Sequence, residues 1–228
     1  MGASVQPSTG STAPHDWGEW AVQHTRQIIY VAAGILILIG AVWLYITSER
    51  RKEAFASQAL SAARTDAESG NLPLAANDLT RMIDRYSGTR AADDAVILLN
   101  QVRLVEGGTQ VGLVVSDLQS FVKGSHPDYI LASAWALLGA AFEQENRYKD
   151  AAPAYAEAAK AATHDFLKAE YLLDQGRTLA IAGDSAAART AYTDVIEKYG
   201  QLAQAQEARV RLGQLGGSLP ASQGKPAS

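Results

Sequence analysis

The rhythm of apolar and polar positions changes twice along this chain. Residues 28–47 (IIYVAAGILILIGAVWLYIT) contain no charge at all. At about 1.5 Å of rise per residue, such a segment spans roughly 30 Å as a helix, the thickness of a bilayer's hydrocarbon core. The pattern predicts one transmembrane helix. Tyr30 near one end, and Trp43 and Tyr45 near the other, suit the two interfaces where amphipathic rings settle. A secretory signal would have a shorter apolar core, a basic start and a small-residue cleavage site. Here Thr47-Ser48-Glu49-Arg50-Arg51-Lys52 follows instead.

Before the span, Asp16-Trp17-Gly18-Glu19 has the form of a helix start, with Asp as cap and Glu three residues on. Trp17, Trp20, Ala21 and His24 then share one helical face, which predicts a short helix over 16–27. Two Trp on that face suit a helix lying among lipid headgroups, or an anchor onto a neighbouring membrane protein. His24 is expected to be an interfacial side chain and not a metal or pigment ligand. Inside the span, Ala33 with Gly40 and Gly34 with Ala41 would let a second helix approach closely.

From Glu49 onward the chain is rich in Ala and lacks strand-like alternation. Breaks at Gly70-Asn71, Gly107-Gly108, Glu145-Asn146 and Gly183-Asp184 recur at steps of 37, 39 and 37 residues. A period near this length predicts stacked helix-turn-helix repeats. In the third repeat, Trp135, Leu138, Gly139 and Phe142 fall on the first helix, and Tyr148, Ala151, Tyr155 and Ala158 on the second. This resembles the tetratricopeptide pattern. Gly139 and Ala151 are expected where the two helices of a pair cross closely. Trp135, Phe142 and Tyr155 are expected to fill gaps between neighbouring pairs. The fourth repeat matches in part (Leu172, Gly176, Leu179, Gly183, Ala188, Tyr192, Val195), and the first is degenerate (Ala59, Ala63, Gly70, Ala75, Leu79, Met82). The second, roughly 91–123, keeps the turn and an apolar face of Val96, Leu99, Leu118 and Phe121. A short helix over 202–215 would cap the stack.

The predicted fold class is therefore all-α: one N-terminal transmembrane helix (28–47), then a tetratricopeptide-like solenoid of helical hairpins (48–215). Tails at 1–15 and 216–228, rich in Gly, Ser, Pro and Ala, are expected to be disordered unless a partner holds them.

The formal net charge of −4 argues against sequence-independent nucleic-acid binding, which needs a basic face. With no Cys, disulfides, thiolate catalysis and zinc–sulfur sites are excluded. His15, His24, His126 and His164 are scattered, and no phosphate loop, nucleophile elbow or H-E-x-x-H motif occurs. Asp93-Asp94 suits a helix N-terminus, and Glu143 and Glu145 a solvated face. No catalytic residue, cofactor, metal or small-molecule substrate is expected.

A single N-terminal span running into degenerate tetratricopeptide-like repeats resembles the bacterial inner-membrane proteins related to the ancillary subunit of the Sec translocon. The similarity runs over about Trp17 to Leu215. It is carried by the span with Trp43 and Tyr45, by Ala54, Leu60, Ala63 and Gly70, and by the repeat positions above. It implies a scaffold without catalysis, a domain outside the cytoplasm, and binding to other membrane or exported proteins. The charges near the span point the other way: Arg26 precedes it, whereas Arg50, Arg51, Lys52 and Arg64 follow, a bias that favours a cytoplasmic repeat domain.

The expected function is an accessory subunit that docks to a large inner-membrane complex: a translocon, a respiratory assembly or a photosynthetic reaction centre with its antenna. The alternative is a holdase-like or trafficking module that binds exported proteins transiently. The expected contact residues are Trp17 and Trp20 at the membrane surface, and Gly34 and Ala41 in the bilayer. Arg50, Arg51 and Lys52 are expected at anionic headgroups, worth about 1 kcal/mol each.

Overall fold

The computed structural model describes residues 25–216, and its regular structure is all helical. Nine helices follow one another among the described residues: α1 (Thr25–Glu68), α2 (Leu72–Arg85), α3 (Arg90–Glu106), α4 (Gln110–Phe121), α5 (Asp128–Gln144), α6 (Tyr148–Ala161), α7 (Asp165–Ile181), α8 (Ser185–Lys198) and α9 (Ala203–Gln214). The chain divides into two compact units, Met1–Arg51 and Lys52–Ser228. The predicted helix over 16–27, with Trp17 and Trp20, and both tails fall wholly or largely outside the described residues.

In the first unit, α1 contains the stretch 28–47 with no helix break on either side. It is the one described helix long and apolar enough to cross a membrane, and none of its most apolar stretch is buried.

In the second unit each helix packs on the next, from α2 on α3 through α8 on α9, and α3 also touches α5 as α7 touches α9. The four breaks all lie within hairpins. Ser69-Gly70-Asn71, Gly107-Gly108-Thr109, Glu145-Asn146-Arg147 and Ala182-Gly183-Asp184 join α1 to α2, α3 to α4, α5 to α6 and α7 to α8. Three of these turns share one geometry. The middle residue is left-handed (Gly70 φ 83°, Asn146 φ 57°, Gly183 φ 87°). The residue after it donates its N–H five residues back: Asn71 to Asp66 O at 3.0 Å, Arg147 to Phe142 O at 2.8 Å, Asp184 to Leu179 O at 2.9 Å. That bond closes the helix end and needs a residue that tolerates positive φ, which is why Gly or Asn stands there. In the second hairpin both Gly107 and Gly108 are left-handed.

A second regularity lies in the core. Each hairpin buries one residue on its first helix and another sixteen positions later on its second: Ala63 and Leu79, Val102 and Leu118, Gly139 and Tyr155, Gly176 and Tyr192. Where the first member has no side chain, the second is the largest. A Cβ built on Gly139 would sit 2.9 Å from the Tyr155 ring, and one on Gly176 2.5 Å from the Tyr192 ring. The glycines thus leave room for an aromatic ring laid flat against helix backbone. The Tyr155 ring thus lies against Gly139 inside its own hairpin, while its hydroxyl lies beside Glu143 and senses Asp174 and Arg177 of the next hairpin. Trp135 packs at the edge of the core, partly buried, as are Phe121 at the end of α4 and Val122 just after it.

The first and fourth hairpins bury residues in one register. Ala56, Leu60, Ala63, Leu79 and Met82 correspond, 113 positions on, to Ala169, Leu173, Gly176, Tyr192 and Val195. The helix after each hairpin continues the match, with Ala95 and Leu99 of α3 facing Ala208 and Leu212 of α9 in the same alignment. On α9 only Ala205, Ala208 and Leu212 are buried, and its remaining surface is mostly polar apart from the exposed Val210.

Candidate interaction surfaces

The largest unsatisfied surface is on α1. Thirteen large apolar side chains between Ile29 and Ile46 are exposed. Burying one such side chain is worth about 1.5–3 kcal/mol, so leaving all of them in water would outweigh the roughly 5–15 kcal/mol that holds an ordinary domain together. This surface needs an apolar cover. Gly34 and Ala41 are exposed on it, and nothing lies within 4 Å of the position a Gly34 Cβ would take. Arg50 and Arg51 are exposed as well.

Lys52 differs from its two neighbours. Its ammonium donates to the Ser87 carbonyl at 2.7 Å, in the turn before α3. Glu53 beside it accepts the N–H groups of Arg90 and Ala91, both at 3.0 Å. These are free donors at the start of α3, where a carboxylate is favoured by hydrogen bonding and by the helix dipole. Thr89 completes the cap by accepting from Ala92 N–H at 3.1 Å. The expected capping role of Asp93-Asp94 is therefore filled by Glu53 and Thr89. Asp93 instead meets His126 Nδ1 at 3.1 Å, while the His126 ring stacks on Phe121 with centroids 3.9 Å apart.

A shallow groove of about 390 Å³ lies across α1, α3 and α5, with Arg64, Glu68, Asp94, Gln101, Tyr129 and Ser133 on its rim. Desolvation holds the Asp94 carboxyl above its ordinary range, partly offset by Arg64. Between the third and fourth hairpins, Arg177 grips Glu143 with two bonds of 2.6 and 3.0 Å and reaches Asp174 at 2.8 Å. Glu143 is thus half-buried and bonded, not the freely solvated charge predicted for it. Burial pushes the Tyr155 hydroxyl far up, and the neighbouring Glu143 carboxylate adds to the effect. Every charge in this group has a partner, which suits a structural joint between hairpins.

A different cavity, of about 440 Å³, opens between α2, α3 and α4. Its apolar walls are Ile83, Val96, Leu99 and Phe121. Its polar groups are Thr80, Asp84, Asn100, Arg103, Asp117 and Ser120, with Arg103 paired to Asp117. Asn100 is 1 % exposed. Its Nδ2 donates to Val96 O at 2.9 Å, while its Oδ1 is buried without a hydrogen-bond partner. A buried amide oxygen in that state is uncommon and calls for a donor.

The expected contact residues therefore separate. Gly34, Ala41, Arg50 and Arg51 stand exposed on α1; Lys52 is tied to the second unit's own backbone; Trp17 and Trp20 are outside the described residues. Asn100, Glu53 and the Arg177 cluster carry no sequence signature. Their one signal is a polar residue amid an apolar helical face, as Asn100 is between Leu99 and Val102. No group of His, Cys, Asp and Glu among the described residues could hold a metal ion. No protein-family model matches this sequence, and no curated protein is significantly similar to it.

Proposed function

We propose that this chain is a non-catalytic, membrane-anchored scaffold, an accessory subunit of a large inner-membrane complex. The observation that carries it is the unburied apolar stretch of α1, followed in the chain by a unit whose described side chains pack or join helices. A lipid bilayer supplies the cover that stretch requires. Exposed Arg50 and Arg51 at its end suit anionic headgroups.

The recurring left-handed turns and the sixteen-residue pairing of small with large residues support a tetratricopeptide-like solenoid, as in the Sec-related inner-membrane proteins that the sequence resembles. Such stacks present extended surfaces to other proteins. The bacterial inner membrane and a periplasmic repeat domain follow from that resemblance. Protease protection in sealed vesicles of known orientation tests the side: cleavage of the repeat unit from the cytoplasmic face would reverse the placement.

Gentle solubilisation followed by native gel migration tests the function. A scaffold comigrates with one or a few partners in fixed ratio. Migration as a lone monomer overturns the proposal, and crosslinking to many clients in varied amounts would favour a holdase-like module.

A further inference from the structure

We infer that the cavity between α2, α3 and α4 is a binding site for a cationic nitrogen on an apolar stem, an alkylammonium group such as a lysine side chain. The site stands on the second unit alone and goes beyond the scaffold role. Its central feature is Asn100. The amide cannot satisfy itself by flipping, because Nδ2 already serves the Val96 carbonyl at 2.9 Å and a flip would set oxygen against oxygen. Oδ1 therefore keeps its present place, buried and without a donor.

The other unspent polar groups at the cavity are mainly acceptors. The hydroxyls of Thr80 and Ser120 give their protons to Ala76 O at 2.8 Å and Ser116 O at 3.1 Å, leaving lone pairs. Asp84 is exposed and has no ion-pair partner. The one cation, Arg103, is engaged by Asp117, so the lining carries one net negative charge. Ile83, Val96, Leu99 and Phe121 offer aliphatic and aromatic surface to a stem. An ammonium supplies three donors and the matching charge; a carboxylate supplies neither. Because Oδ1 is buried, entry requires a small opening of the wall, and the group that enters takes up the missing bond.

The test titrates the full-length protein in detergent with n-butylammonium chloride, against sodium chloride, n-butanol and sodium butyrate, and follows Tm. The expected result is a saturable rise of about 3–5 °C at ten times the half-saturating concentration, with butylammonium alone. Asn100→Leu removes this rise while raising the Tm of the unliganded protein, since the unpaired oxygen is gone. Asp84→Asn, on an exposed position, weakens half-saturation at least about threefold and keeps the test valid should Asn100→Leu fail to fold. An acetylated Ala-Lys-Ala amide, compared with its norleucine counterpart, separates the sources. A rise with the lysine peptide assigns the group to a partner polypeptide, and a rise with butylammonium alone assigns it to a free amine; both support the site. An equal rise with butanol, a larger one with butyrate, no rise with any probe, or a rise that persists in both variants overturns it.

Discussion

The first and fourth hairpins solve one packing problem with different residues. Both bury side chains in the same register, 113 positions apart, yet the first sets Ala63 against the α2 position held by Leu79, whereas the fourth sets Gly176 against Tyr192. The volume lost on one helix reappears on the other. What is held constant is the summed size at the crossing, as close-packed interiors require, and neither residue's identity. The ends of the unit also differ. The first hairpin is joined to α3 by Lys52 and Glu53, whereas α9 buries only Ala205, Ala208 and Leu212.

The largest effect is expected where that volume is greatest. Tyr192→Ala should cost about 3–5 kcal/mol in denaturant titration, at the upper end of what Leu79→Ala costs, about 2–5 kcal/mol. Gly176→Ala should cost about 1–3 kcal/mol, because the new Cβ meets the Tyr192 ring at 2.5 Å. Grafting the first hairpin's solution into the fourth sharpens the point. In Gly176→Ala with Tyr192→Leu, the two losses should fail to add by about 0.5–3 kcal/mol, in the favourable direction. Strict additivity would break the idea of a shared volume.

Glu53→Gln probes the joint peculiar to the first hairpin. Losing the charge at two helix N–H groups should cost about 1–2 kcal/mol, measured as a lower denaturation midpoint at unchanged slope. Gly183→Ala should cost about 1 kcal/mol through its left-handed φ of 87°, since nothing crowds the new methyl. The smallest effect concerns pH. Burial raises the folded-state pKa of Asp174 above its ordinary 3.8, with Arg177 only partly opposing. The folded state then binds the proton more tightly than the unfolded one, so this group's contribution to stability falls as pH rises from about 3.8 through the folded value. Asp174→Asn should gain on the parent across that window, and a parallel pair of pH–stability curves would contradict it.

Much of the fold was legible in the sequence because it rests on local rules. The apolar run of residues 28–47 and the left-handed Gly and Asn turns need no knowledge of neighbours. The helix pair around Gly139 and Tyr155 was legible too, although the ring's place inside the hairpin was not: size alone does not tell which gap a side chain fills. The candidate sites were far less visible. Glu53 and Arg90 are distant in sequence, as are Glu143 and Arg177, and their pairing follows only from helix stacking.

The sequence by itself determined the helices, their breaks and the need of one segment for an apolar cover, since periodicity, backbone freedom and hydrophobicity act within a few residues. Tertiary structure alone decided that Lys52 faces protein backbone, that Glu53 and not Asp93 caps α3, and that Asn100 is left with an unanswered oxygen. Hydrogen bonds and desolvation depend on which distant groups packing brings within about 3 Å, and no local pattern encodes that distance.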